Sequence, residues 1–383
     1  MNNSATFIWR GSHLIVANHA PENRLFGEKG LRALCYCTLT GKAVDDSSLP
    51  LTSLQGQKLL EHYHAEKLKH YQSRNALSEH IGLEAGFASD YAGRLLLELL
   101  QNATDAISGI PIGHKGLGFR VTASFAEAIR IHSGELHIEF SRDQAHQALK
   151  QHNGIDEPSI HLLSVPCAFD LKHEEEFIRD LINEFETVVV LKIKRDAVQA
   201  LEDQWKDITR SPSVMLFLPA IQNVVWTHET THLSWVRKPD ESNGEVALLT
   251  VNDAALEKWM IRGNPKQAQI AVRIKDGNFI PLPSGFQESK CVRTYFRTAE
   301  INPVPAFLLH VNLPLEQNRN HFVSGTVEGN TDRLEKAADV IADFVSELPD
   351  CGHALDFLRW PSGISEESGL EVRFARPMWL AIR

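Results

Sequence analysis

The sequence predicts an α+β protein of two domains, with helices laid on sheets, and three observations carry that prediction. Leu95, Leu96, Leu99, Leu100 and Ala103 recur at helical spacing, so the first half contains a helix with one buried face. Around it stand short apolar or β-branched runs bounded by turn residues, at 13–17, 128–133, 136–140 and 187–194. From about Asp196 the pattern of helices and strands starts afresh, and 383 residues suffice for two cores. The expected division is a first domain over 1–195, a second α/β domain over 196–345 and a C-terminal tail over 346–383.

Taken in order, His13–Ala17 reads as a short buried strand that ends in a turn at Asn18-His19-Ala20-Pro21. Gly30–Cys35 looks helical and leads to the Thr/Lys loop Thr38–Lys42. Val44–Pro50, rich in Asp, Ser and Pro, reads as a linker, and Leu54–Tyr71 as a helix. The leucine-striped helix follows, then a glycine-rich stretch, then two strands joined by a Gly-Glu turn. A helix near Glu174–Phe185 precedes the strand Thr187–Lys194. In the second domain Val214–Leu218, Val224–Trp226, Ile270–Ile274, Ile280–Leu282, Val292–Phe296 and Phe307–Leu313 read as strands, and Asp332–Leu348 as a helix.

Composition removes several function classes. Hydrophobic residues make up 43% and charged residues 23%, an ordinary soluble balance. The formal net charge is −10 with no Lys/Arg block, which disfavours non-specific duplex DNA binding. No apolar run is long enough for a membrane span, and the polar start MNNSATF does not read as a signal peptide. Five scattered cysteines suit reduced thiols and a cytoplasmic setting, and Cys35-x-Cys37 lacks the second pair a zinc site needs. His228-Glu229-Thr230-Thr231-His232 has the order of a metalloprotease motif, but its Thr-rich, strand-like context points to turn histidines.

The chemistry concentrates in residues 94–120. Glu98 and Asn102 lie four apart and project from one side of the helix, with Asp105-Ala106 one turn on. A carboxylate there can polarise a water, and an amide oxygen can ligate Mg²⁺, which takes oxygen donors. The alternative for both is a solvated helix face. In Gly113-His114-Lys115-Gly116-Leu117-Gly118-Phe119 the glycines let backbone amides approach phosphate oxygens closely.

Together these residues resemble the N-box and glycine box of the gyrase, heat-shock chaperone, histidine kinase and MutL (GHKL) ATPases, most closely the sacsin-type, heat-shock-chaperone-like branch. The resemblance implies a two-layer α/β sandwich of Bergerat type that binds ATP and Mg²⁺. It implies that Asn102 ligates Mg²⁺, Glu98 orients and deprotonates water, and Asp105 joins the nucleotide-binding set. Gly113, Gly116, Gly118 and the Phe119 amide would cradle the phosphates, with charge added by Lys115. In the family the adenine-binding box lies between these two boxes, where this chain has room for only a few residues. The strand, turn, helix and Thr/Lys loop of that box resemble residues 13–42 instead, which implies a circularly permuted or rearranged domain. The alternative is a chance match and a lost adenine box.

On the permuted reading Asn18 stands where the family has an adenine-binding Asp, Ala20 where it has a Gly, and Lys42 resembles a lid lysine. Thr187 opens the strand whose Thr supports the adenine carboxylate, and its alternative is an ordinary β-branched strand residue. Leu313-Pro314-Leu315-Glu316-Gln317-Asn318-Arg319 resembles the middle-domain loop whose arginine reaches the γ-phosphate, so Arg319 takes that catalytic role, with Gln317 or Asn320 assisting. Three functions follow. The first is an ATP-hydrolysing molecular switch with a protein client and room for a homodimer. The second is a pseudo-ATPase kept as a protein-interaction platform. The third is a DNA-processing ATPase like MutL or gyrase, which the acidic balance disfavours.

Overall fold

The structure is a computed structural model that describes residues 3–19, 53–72, 74–90, 93–108, 121–157, 160–218, 220–240, 243–302, 304–313, 327–348 and 356–357. Contacts gather the chain into two compact units, Met1–Arg210 with Ala220–Leu233, and Ser211–Pro219 with Ser234–Arg383. The division therefore falls later than the expected residue 196. The helix after that point and the strand at 223–228 both pack into the first unit, as described next.

The first unit opens with β1 (Ser4–Arg10) and β2 (His13–Asn18), a hairpin whose tight turn uses Gly11 at φ 56°. Then come α1 (Ser53–His70), α2 (Arg74–Asp90), α3 (Leu95–Ser108) and the short α4 (Val121–Phe125). β3 (Ala126–Ser133), β4 (Leu136–Ser141), α5 (Arg142–Asn153), β5 (Cys167–Ala168), α6 (Glu176–Glu184), β6 (Thr187–Ile193), α7 (Val198–Thr209) and β7 (Asn223–His228) complete it. The sheet order is β7-β1-β2-β6-β3-β4-β5, antiparallel at every step except the parallel pair β7–β1.

Register decides what each face of this sheet meets. On one face Ala5, Phe7 and Trp9 align with Asn18, Val16 and Leu14, and these in turn with Thr187, Val189 and Leu191. Phe7 stacks on Trp226 at 4.3 Å, Trp9 stacks on His228 at 4.2 Å, and Trp205 of α7 meets Trp226 edge-on at 5.4 Å. Each such aromatic pair adds about 1 kcal/mol beyond its buried area. α3 packs against both α7 and β2, so it belongs to this layer. On the opposite face Ile15, Ala17, Val188 and Val190 bury against Ile178 and Phe185, with Phe177, Leu181 and Ile182 of α6 alongside. The strands are apolar on both faces because both are covered. On this second face α6 supplies the cover. Ahead of α6, the buried Glu174 carboxylate takes Arg130 at 2.9 Å and His132 at 3.3 Å, tying the helix start to β3.

The second unit consists of β8 (Thr231–Asp240, whose first residues fall in the first unit), β9 (Asn243–Val251), β10 (Ala254–Asn264), β11 (Ala268–Lys275), β12 (Asn278–Ile280), β13 (Cys291–Thr294), β14 (Phe296–Ile301), β15 (Leu308–Val311) and α8 (Val327–Ser346). Its sheet runs β8-β9-β10-β11-β15-β13-β14, with β12 also on β11. Ile270, Val272, Leu309 and Val311 face Ala337, Ala338, Ile341 and Phe344 of α8. The other face carries Arg293 and His310, which share one register position. Arg293 donates to Glu288 at 2.9 Å and to the Ser213 hydroxyl at 3.2 Å, and Ser213 also donates to Glu288. Phe217 stacks on His310 at 5.5 Å. Among the described residues no helix is long and apolar enough to cross a membrane.

Two sequence expectations are corrected here. Val214–Leu218 is no strand but most of a 3-10 helix, Pro212–Phe217, started by a proline whose fixed φ suits a first turn, and every residue of it after Pro212 is buried. Such an unbroken apolar run carries no period to tell helix from strand. Val292–Phe296 is not one strand but the meeting of β13 and β14, broken at Tyr295, whose φ is 63°. The Tyr295 N–H donates to His310 Nδ1 at 2.9 Å, which holds this turn.

That bond also fixes the charge of His310. With Nδ1 accepting, Nε2 carries the proton toward the Pro265 carbonyl at 3.0 Å, and the ring is neutral. Burial above all pushes its pKa down to about 4, against the Pro265 carbonyl, which favours the cation. A histidine lowered from its ordinary 6.5 stabilises the fold above that value, and the contribution is lost as pH falls toward 4. Urea unfolding should show stability lower by about 2 kcal/mol at pH 5 than at pH 7 from this residue. The His310→Gln variant should lack that slope. An unchanged slope would contradict the assignment.

Candidate functional site

The first unit gathers one set of polar groups on the α3 side of its sheet. α3 forms because Leu95, Leu96, Leu99, Leu100, Ala103 and Ile107 supply a continuous buried stripe. Its start is tied from outside, since the Leu96 N–H donates to Gln204 Oε1 of α7 at 3.3 Å, satisfying one first-turn amide. Glu98 lies in this first turn, where a negative charge is favoured by the helix dipole. It is only 1% exposed, while Asn102 and Asp105 on the same side are half-buried. The solvated-face alternative for Glu98 is thereby corrected, because the stripe of leucines extends round the helix far enough to bury it. Asn102 Nδ2 is shielded from solvent and makes no hydrogen bond.

Asn18 ends β2 directly across from Thr187, the first residue of β6, and both point to the face on which α3 and α7 pack. The Thr187 hydroxyl is engaged with the Ser133 hydroxyl at 2.8 Å. His19, which leads the chain away from the strand, donates its N–H to the Ser4 carbonyl at 3.2 Å. Its ring stacks on Phe185 at 4.5 Å and holds Glu186 at 2.9 Å. The corner is thus pinned on both sides of Asn18. Asn18 itself is 5% exposed, and its Nδ2 has no hydrogen-bond partner. A buried donor left unmatched costs about 1–3 kcal/mol, so three such amides in one layer, with Gln204 Nε2 of α7 the third, call for a physical reason.

Lys42, Gly113, Lys115, Gly116, Gly118, Phe119 and Arg319 lie outside the described residues, as do Ala20, Gln317, Asn320, the helix expected at 30–35 and the linker at 44–50. What is described is the anchor that follows the glycine-rich stretch. α4 buries Val121, Thr122, Ala123 and Phe125, and two cations meet its last carbonyls. Arg142 donates to Ala123 O at 3.0 Å, and Lys194 donates to Ala123 O at 3.1 Å and Ser124 O at 3.0 Å. Cations suit a helix C-terminus. Burial first, and then the neighbouring Arg142, lower the Lys194 pKa. The sequence reading missed Ser133, Gln204, Arg142 and Lys194. Ser133 ends the strand that the sequence shows at 128–133, and the β3–β6 register places it beside Thr187.

His228 and His232 flank the turn between β7 and β8, with Glu229 at φ 51°, so they do not share a helix face. Among the described residues no group of three His, Cys, Asp or Glu is arranged to hold a metal. No protein-family model and no curated protein sequence matches the chain.

The orphaned Asn18 amide and the bonded Thr187 hydroxyl should respond oppositely to removal. Asn18→Leu relieves an unmatched donor and should leave stability unchanged or raise it by about 1 kcal/mol. Thr187→Val removes the hydrogen bond between the Thr187 and Ser133 hydroxyls and should lower stability by about 1 kcal/mol. Thermal or urea melts of the two variants check this, and a clear loss in Asn18→Leu would mean that its amide is matched.

Proposed function

We propose that the first unit binds Mg-ATP and hydrolyses it, as a rearranged GHKL-type module of Bergerat architecture that couples nucleotide turnover to domain movement. The observation that carries this reading is the register pair Asn18–Thr187 on the face covered by α3. The two residues come from distant parts of the chain, and the family resemblance assigns both to one base-binding corner. Glu98 and Asn102 stand on the helix of that same layer, buried and half-buried as residues of a water-excluding site would be.

The donor set fits a hard divalent cation. Asn102 offers a carboxamide oxygen whose amide nitrogen is committed to nothing else, and the Glu98 carboxylate is one turn away. Asn102 would hold Mg²⁺, whose chemistry is to neutralise charge on the phosphate oxygens. Glu98 would take the proton of the attacking water. Gly113, Gly116, Gly118 and the Phe119 amide bind the phosphates with Lys115, and Lys42 closes over them. Arg319 would supply positive charge to the transferring phosphoryl group. A protein client receives the resulting movement.

One observation favours a second reading. Asn18 carries no charge, so it accepts from a base less strongly than an aspartate, and a platform with weak nucleotide affinity would tolerate it. Calorimetric titration with ATP and Mg²⁺ separates the two. Wild-type protein should bind, Asn102→Ala should weaken binding at least about tenfold, and Glu98→Ala should bind while turnover falls about a hundredfold or more. No heat with wild-type protein would overturn the ATPase and leave the platform.

A further inference from the structure

We infer that Asn18 reads the base through a paired donor and acceptor, so that 6-oxopurine nucleotides are taken as readily as 6-aminopurine ones. The inference rests on the nucleotide reading above, and its starting point is a carboxamide that the fold leaves unmatched. Asn18 is 5% exposed, its Nδ2 is shut off from solvent, and that nitrogen has no hydrogen-bond partner. The polar groups beside it are committed elsewhere. Thr187, its register partner, is bonded to Ser133 at 2.8 Å, and the next residue, His19, is held by Glu186 at 2.9 Å. Neither the adjacent strand nor the following residue supplies what the amide lacks, and a bound base would supply it.

A carboxamide presents an acceptor and a donor side by side, whereas a carboxylate presents acceptors alone. The edge of a 6-aminopurine offers a donor at the 6-position and an acceptor at N1. A 6-oxopurine offers the reverse, an acceptor at the 6-position and a donor at N1. Half a turn about the last torsion of the asparagine, a broad and nearly two-fold rotor, converts one complement into the other. Either base is then bound by two hydrogen bonds with both amide groups used. A carboxylate at residue 18 would set an acceptor against an acceptor with each base. The amide therefore gives up the strength of a charged acceptor and gains tolerance at the 6-position.

Calorimetry with Mg²⁺ and either ATP or inosine triphosphate tests this, since the two ligands differ only at the 6-position and N1. Wild-type protein should show dissociation constants within about tenfold of each other. Asn18→Leu should weaken both by about tenfold or more, because two hydrogen bonds are lost in each case. A preference for ATP beyond about a hundredfold in wild-type protein, of the size a one-way hydrogen-bonding reader produces, would overturn the inference and leave the ATPase reading intact. So would an Asn18→Leu variant that binds both nucleotides as wild type does. Failure of wild-type protein to bind either nucleotide would overturn the nucleotide reading and this inference with it.

Discussion

The two-sided burial of β2 is the constraint from which the first unit follows. His13–Asn18 is apolar through its middle, so it can lie only between other strands and between two covering layers. Once it is central, β1 and β6 must flank it, and the two-residue period leaves no freedom in which side chain faces which layer. A one-residue slip against β6 would send Asn18 and Thr187 to opposite faces. The polar corner is therefore a by-product of apolar packing. Its position is set by residues that carry no chemistry.

The second unit solves a different problem on each side of its sheet. Toward α8 the contacts are aliphatic and aromatic throughout. On the other side a guanidinium, a carboxylate, a hydroxyl and an imidazole are buried together, each with a partner. Buried ion pairs add little net stability compared with apolar replacements, but breaking one leaves a charge stranded. Asn302 does similar work nearby, with its amide donating to Ser289 O and Phe307 O at 2.9 Å while its oxygen accepts from Val304 N. Such directional contacts fix how the β13–β14 turn and the 3-10 segment sit on their sheet.

Elements with a clean local signal were legible in the sequence. The strand at 13–17, the hairpin at 128–140, the strand opening at Thr187 and the leucine-striped helix all appear close to their expected bounds. β1 was missed because its alternation, Ala5, Phe7 and Trp9 buried, is diluted by Ser4, Thr6 and Arg10. β8 was missed because most of its side chains touch solvent, so its hydrogen-bonded ladder leaves no apolar trace. The split at Tyr295 depends on a histidine contributed by a later strand, which no local pattern encodes. In the site, residue types and spacing on α3 could be read, whereas the burial of Glu98 depends on how far the apolar stripe wraps.

The strand order of the first unit has a consequence for how the chain acquires its fold. β1 and β2 emerge in synthesis well before their partners, since β2 needs β6 at 187–193 and β1 needs β7 at 223–228. Closing such long loops costs conformational entropy before any contact rewards it, and sheets dominated by distant pairings form slowly. Until the ribosome has delivered residue 193 the hairpin of β1 and β2 lacks both lateral neighbours, and until residue 228 it still lacks β7. The hairpin must wait with its apolar faces uncovered through that interval, which is when the chain is most open to aggregation.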